Sequence, residues 1–176
     1  MSQTSSGSIG AGGEPMTGAP LRPSVVARIR ELAGDDDAAL AAAWPVMAQL
    51  RPNLADAGEF VRRVREQMLD EGYRLVAADD ADGVPRALAG FRIQTMLWRG
   101  RSLYVDDLVT DAGVRSGGYG RALFEWLVAE GRRLGCAQLH LDSGVQRFDA
   151  HRFYLRQRMA IVGHHFSLAL DDHPAP

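Results

Sequence analysis

The residue types with the most chemical potential fall in one run, Leu103 to Leu123, which reads LYVDDLVTDAGVRSGGYGRAL. Its second half, Arg115-Ser116-Gly117-Gly118-Tyr119-Gly120-Arg121, is a glycine-rich turn that opens a helical pattern. Such a turn suits an anion. Glycines let the backbone approach closely with N–H groups turned inward, and a helix N-terminus adds about half a positive charge. Arg115 and Arg121 bring guanidinium groups with the geometry for phosphate. Two common phosphate motifs are excluded by residue identity. A P-loop needs Gly-Lys-Ser/Thr, but all 20 basic residues are Arg. The dinucleotide fingerprint needs a third glycine where Gly118-Tyr119-Gly120-Arg121-Ala122 is followed by Leu123. Without Lys, a Schiff-base lysine and a Ser-Lys nucleophile pair are excluded too.

Asp106 and Asp107 lie just upstream, among Leu103, Val105, Leu108 and Val109. Adjacent acids in an apolar strand are expensive to bury without partners, which separates them from the surface acids Asp79 and Asp80. A regular strand sends successive side chains to opposite faces, so it cannot aim both at one site. Ion pairing to Arg92, Arg99 or Arg101 on a neighbouring strand is the structural alternative.

These residues need a frame. Val25–Leu32 reads as a strand, with a helix as the alternative. Asp35-Asp36-Asp37 supplies N-caps for a helix over Ala38–Leu50, and Asp56 starts a second helix carrying Phe60, Val64 and Met68, stopped at Gly72. The period then changes to two. Arg74–Ala78, Arg86–Trp98 and Arg101–Thr110 read as strands joined by turns at residues 79–83 and at Arg99-Gly100. A helix follows from Gly118 to about Leu134, with Gly135 as its stop. Ala137–Asp142 alternates as a strand, Asp149 can cap a short helix through Arg158, and Ala160–Leu170 reads as a final strand. The predicted fold class is α/β (α+β): a mixed, mostly antiparallel central sheet flanked by helices. The strand–helix–strand succession requires a right-handed parallel β-α-β crossover.

The spacing Arg115-Ser-Gly-Gly118-Tyr-Gly120, with a strand before it, a helix after it and Phe153-Tyr154 downstream, resembles the GNAT superfamily of N-acetyltransferases. The resemblance spans roughly Val25 to Leu170, since the element order is also that of the family. It implies that the turn, residues Arg115, Ser116, Gly117, Gly118, Tyr119, Gly120 and Arg121, binds the pyrophosphate of acetyl-CoA. Leu108, Val109 and Thr110 would hold the pantetheine arm and thioester carbonyl on a strand that splays from its neighbour. Tyr154 would protonate the departing CoA thiolate, a fitting role for a phenol with pKa about 10. The stretch Leu103–Leu108 is similar to the corresponding strand of polyamine N-acetyltransferases. That likeness implies Asp106 as the base, directly or through water, and Asp107 as a ligand of the substrate ammonium. Two positions depart from the family pattern: Arg147 stands near the usual Asn, and Arg158-Met159 replaces the frequent Gly-Phe.

With 176 residues, 46% of them hydrophobic, the chain is sized for one domain, expected over residues 23–172. The Ser/Gly/Thr-rich residues 1–22 are expected to form a disordered tail. A net charge of −2 and a pI near 6.2 speak against a nucleic-acid partner and fit polycations or small amines better. Neither a targeting segment nor a membrane span is read, so a cytoplasmic location is expected. The single Cys136 excludes an internal disulfide framework and a Cys-based zinc site, and His164-His165, expected on opposite faces of a strand, do not make a metal pair. No metal is expected. His140 and His151 are expected as polar surface residues, and Trp44, Pro45 and Arg51 belong to the helical region that covers the acceptor site in GNAT proteins. The sequence thus reads as an enzyme that moves an acetyl group from acetyl-CoA to a primary amine of a small molecule, by direct attack in a ternary complex. A protein or peptide N-acetyltransferase and a non-catalytic acyl-CoA sensor are the alternatives, and a homodimer is common in the family.

Overall fold

In the computed structural model, residues 27–170 are described. The expected N-terminal tail, and the first residues of the expected Val25–Leu32 strand, lie outside them. The elements run β1 (Arg28–Leu32), α1 (Asp37–Met47), α2 (Ala57–Asp70), β2 (Arg74–Asp79), β3 (Pro85–Met96), β4 (Gly100–Thr110), a 3-10 turn (Ala112–Val114), α3 (Tyr119–Arg133), β5 (Gln138–Leu141) and α4 (Phe148–Arg156). The five strands form one sheet in sequence order. Pairs β1–β2, β2–β3 and β3–β4 are antiparallel, while β4–β5 is parallel across the α3 crossover. The predicted fold class is the observed one.

Local chemistry sets most boundaries. Asp36 caps α1 by accepting from Ala39 N–H at 2.9 Å, and Asp56 caps α2 by accepting from Glu59 N–H at 2.8 Å. Glu59 in turn accepts from Ala55 N–H at 2.7 Å, which closes the first turn of α2 from both sides. Gly72 and Gly135 follow the ends of α2 and α3 at φ +66° and +71°, a backbone conformation that glycine adopts without penalty.

Helices cover both faces, which explains why β2 is buried almost throughout. On one face, α1 and α2 bring Leu40, Met47, Phe60 and Val64 against Leu75, Leu88 and Val109. On the other, Leu123 and Leu127 of α3 pack on Val76, Phe91, Leu103 and Val105. Each fully buried Leu or Phe contributes about 1.5–3 kcal/mol relative to exposure. Leu139 and Leu141 lean toward the α3 side, as their alternation predicts. No helix among the described residues is long and apolar enough to cross a membrane.

Several expectations need correction, among them Asp79, which is buried in β2 and paired with Arg30 rather than a surface acid, and α1, which ends at Met47 rather than Leu50. Ala160–Leu170 is not a strand: the segment is exposed and joins no ladder among the described residues. Apolar and β-branched residues favour a strand, but only a neighbour's backbone makes one. His164 and His165 are therefore not strand residues. Asp149 does not cap α4. The N-cap position is Arg147, without a side-chain hydrogen bond, and Asp149 sits in the first turn, paired with Arg152 at 2.8 Å. Finally, β3 stops at Met96 rather than Trp98, because Met96 pairs with Gly100 and leaves Leu97 and Trp98 at the exposed tip of the hairpin.

Candidate active site

The β3–β4 register contains the feature on which the site depends. Ala89 pairs with Leu108 and Gly90 with Asp107, but Phe91 pairs with Val105, so Asp106 is an extra residue on β4. Before this bulge, odd residues of β4 (Leu103, Val105) point to α3; after it, Val109 points to α1 and α2. A bulge shifts the alternation by one. Asp106 and Asp107 consequently face the same side and together line a cavity of about 280 Å³, with Met47, Arg51, Phe60, Tyr73 and Arg92 among its other walls. A regular strand would have separated them.

The two carboxylates are held differently. Asp107 is buried and uses both oxygens: Arg51 Nε donates to Oδ1 at 2.7 Å and the Tyr73 hydroxyl to Oδ2 at 2.8 Å. Arg51 Nη2 also donates to the Asp106 carbonyl at 3.0 Å, tying the loop after α1 to the bulge. Tyr73 reaches Asp107 by passing over Gly90, where an added Cβ would lie 1.8 Å from its hydroxyl. Burial first, and then the charge of Asp107, pushes the Tyr73 phenol well above its ordinary range, so it remains a donor.

Asp106 is only half-buried. Its Oδ2 accepts from Arg92 Nε at 2.9 Å, while Arg92 continues to Glu71 at 2.5 Å and Gln67 at 3.2 Å. Oδ1 accepts no hydrogen bond among the described residues. Desolvation raises the Asp106 pKa, with Arg92 acting against it and Asp107 adding to it. The result is a carboxylate with one tethered oxygen and one free oxygen, made more basic than usual by its surroundings. The pairing with Arg92 that the sequence offered as an alternative is present, but it occupies only half of the group.

The glycine turn sits where β4 passes into α3. Gly118 is the N-cap of α3 at φ +95°, and no side chain caps it. The first intrahelical bond runs from Ala122 N–H to the Gly118 carbonyl, so the preceding N–H groups of the first turn have no helical acceptor. Ser116, next to the glycines, also takes positive φ, at 69°. At Gly120 a Cβ would stand 2.5 Å from Thr110 Oγ1, so the close approach of turn and strand depends on that glycine. These are the properties of a cradle for a diphosphate.

Between turn and bulge, β4 has a neighbour on one side only. The β4–β5 pairing ends at Val105–Leu141, whereas Leu108, Val109 and Thr110 pair with β3 alone. Their second edge has no strand neighbour among the described residues. Tyr154 stands outside the acid-lined cavity, on α4, which Phe153 joins to α3 through an edge contact with Phe124 at 5.8 Å between centroids. Burial raises the Tyr154 pKa, with Arg147 opposing. At Arg158, one of the positions expected to depart from the family pattern, φ is +64°.

The sequence did not single out Tyr73 or Gln67 as site residues; a Tyr beside a helix-stopping Gly72 gives no local sign of an interaction with residue 107. A larger hollow of about 530 Å³, lined by residues of α1 and α2 such as Ala41 and Val61, contains neither the acids nor the glycine turn.

A sequence profile of the acetyltransferase (GNAT) family matches residues 42–158, and the chain belongs to that family. It is similar to the uncharacterized N-acetyltransferase YhdJ of Bacillus subtilis, 37% identical over 114 residues that make up 65% of this chain and 79% of the relative. In fold it resembles an acetyltransferase of Trypanosoma brucei (TM-score 0.67, 22% identity, 82% of this chain and 99% of the other). It likewise resembles glucosamine-6-phosphate N-acetyltransferase of Arabidopsis thaliana (TM-score 0.65, 22% identity, 82% and 99%). A third likeness is to ribosomal-protein-alanine N-acetyltransferase of Brucella melitensis (TM-score 0.68, 17% identity, 81% and 99%). The protein is thus an acetyltransferase, of a family that uses acetyl-CoA as co-substrate.

Proposed function

We propose that the enzyme transfers the acetyl group of acetyl-CoA to a primary amine of a small molecule by direct attack in a ternary complex. The observation that carries this reading is the bulge, which turns Asp106 and Asp107 into one cavity beside the open stretch of β4. An amine near pKa 10 arrives as an ammonium. Asp107, with both oxygens engaged, contributes negative charge that favours the cation. Asp106 Oδ1 accepts the proton and releases the nucleophile.

The N–H groups at the start of α3, flanked by Arg115 and Arg121, hold the diphosphate. Main-chain groups of Leu108, Val109 and Thr110 orient the thioester and meet the developing oxyanion. The N–C bond forms as the carbonyl opens to the oxyanion. When this collapses, the C–S bond breaks and Tyr154 gives its proton to the leaving sulfur. The second proton of the acylated nitrogen leaves through water, which restores the phenol. No nucleophilic side chain is required, and Cys136 is partly buried against the α3 side.

Thiol release from acetyl-CoA across a panel of polyamines, aminoglycosides, arylalkylamines, amino acids and peptides tests the proposal. Turnover with a small amine and intersecting initial-velocity lines are expected. Turnover only with peptides, parallel lines, or binding of acetyl-CoA without any thiol release would each contradict it.

A further inference from the structure

The acid-lined cavity carries more positive charge than its two acids call for. Arg51, Arg63 and Arg92 all line it, beside Asn53 and Gln67 and against only Asp106 and Asp107. Arg92 is fully engaged within the protein: Nε donates to Asp106, Nη1 to Glu71 and Nη2 to Gln67. Arg51 is engaged in part, with Nε on Asp107 and Nη2 on the Asp106 carbonyl. Its Nη1 has no acceptor among the described residues. Arg63 uses Nη2, which lies 2.7 Å from Glu59, four positions earlier on α2. Glu59 belongs to the first turn of the helix, where its other oxygen accepts from Ala55 N–H, and it is not part of the cavity wall.

The Glu59–Arg63 pair is an ordinary helix-surface pair, and such a pair needs no cavity. It does not explain the direction of Arg63. Of the arginines on α2, Arg62 and Arg65 turn to the larger hollow, and Arg63 alone joins Phe60, Val64 and Gln67 on the face that closes the acid-lined cavity. A second ammonium, as in a polyamine, would meet these guanidinium groups at close range, and like charges repel. An anion would complete them, since guanidinium matches carboxylate and phosphate through parallel N–H bonds. Spacing sets the size. Gln67 marks the Arg92–Asp106 end, and Arg63 lies four residues, about 6 Å of helix rise, before it. The cavity, about 280 Å³, falls below the volume usual for drug-sized ligands, so the acceptor is small.

Resting on the reading of this cavity as the acceptor site, we infer that the acceptor is a zwitterion. It is a small primary amine that also carries a carboxylate or phosphate, with its nitrogen at Asp106 and Asp107 and its anion on Arg51 Nη1 and Arg63. Initial rates of thiol release from acetyl-CoA, measured on the full chain, compare anionic amines with uncharged counterparts: α-amino acids with their amides, γ-aminobutyrate with γ-aminobutyramide, and phosphoethanolamine with ethanolamine. Putrescine and spermidine complete the set. An anionic amine should be preferred by about 10-fold or more in kcat/KM, and the carboxylate and phosphate members show which anion is read. Arg63→Gln should narrow that preference through a raised KM rather than a lowered kcat.

An uncharged amine or a polyamine used equally well would overturn the zwitterion and leave acetyl transfer to a small amine intact. So would a preference that Arg63→Gln does not change. If that variant does not fold, the preference of the parent chain decides. If no amine releases thiol, the transfer reading fails, and calorimetry with the enzyme and coenzyme A decides the acceptor class separately. Saturable binding of an anionic amine that Arg63→Gln weakens supports the zwitterion, and its absence overturns it.

Discussion

Asp106 and Asp107 are neighbours in sequence that project from the same face of β4, because Asp106 is the unpaired residue of a bulge opposite Gly90 and Phe91. Pleating would have put one of them among Phe91, Leu123 and Leu127 on the α3 side, where a carboxylate has no partner. The bulge moves that cost away and places two acids in one cavity. It also distinguishes them: Asp107 is fixed at both oxygens, and Asp106 keeps one in reserve.

Replacement of Gly90 tests how Asp107 is held. In Gly90→Ala the new methyl collides with the Tyr73 ring and hydroxyl, at 1.8–2.6 Å before relaxation. Overpacking of a buried site costs about 1–3 kcal/mol. Urea unfolding should show that loss, and the turnover rate should fall with it. The variant Tyr73→Phe, which keeps the ring and removes the donor, should retain more stability than Gly90→Ala.

For Asp106 the pH profile is decisive. Its folded pKa is raised, so the active carboxylate is lost as pH falls through that value, and kcat/KM should drop on the acid side above the range of an ordinary aspartate. Asp106→Asn should lose about 100-fold or more at neutral pH, and recover in part at high pH as the free amine becomes abundant. The stability consequence has the opposite sign. A carboxylate with raised folded pKa disfavours the fold once pH exceeds that pKa. Asp106→Asn should therefore be at least as stable as the parent at pH 7 in denaturant titration, even as activity falls.

Tyr154 should remain protonated throughout the working range, since burial raises its pKa further above neutral. Tyr154→Phe should lower kcat by about 10–100-fold without changing the acid limb set by Asp106. Donors with a more acidic thiol should narrow the gap between variant and parent, because such a sulfur leaves with less help. A uniform loss across donors would remove Tyr154 from the role of acid.

Arg158 offers a prediction about stability alone. A non-glycine residue in the left-handed region costs about 1–2 kcal/mol, against up to about 1 kcal/mol of extra chain entropy for glycine. At φ +64°, Arg158→Gly should raise stability by about 0.5–1 kcal/mol, read as an upward shift of the thermal midpoint.

What the sequence revealed follows from the range of the interactions involved. The glycine turn, the caps at Asp36 and Asp56, and the stops at Gly72 and Gly135 are local, and each was legible within a few residues. The bulge at Asp106 was not, since it is a relation between β4 and the residue count of β3. Nor was Tyr73, whose partner is 34 positions away, across Gly90. Ala160–Leu170 has the composition of a strand, but composition is local and a ladder is not, and the segment joins none among the described residues. Arg92 was foreseen as a partner for the acids, whereas Arg51 could be assigned only to the region that covers the site.

The central claim is that main-chain N–H groups at the start of α3 hold the diphosphate of the acetyl donor. An amide-resolved NMR titration with coenzyme A, run beside one with pantetheine, addresses it directly. Coenzyme A should shift the Gly118, Tyr119, Gly120 and Arg121 amide signals strongly, the Gly117 N–H being already donated to the Val114 carbonyl at 3.0 Å, and pantetheine, which lacks the diphosphate, should leave them in place. Substitution of Gly120 by Val, whose Cβ would press on Thr110, should abolish those shifts. Saturable binding of coenzyme A with these four amides unmoved would contradict the account.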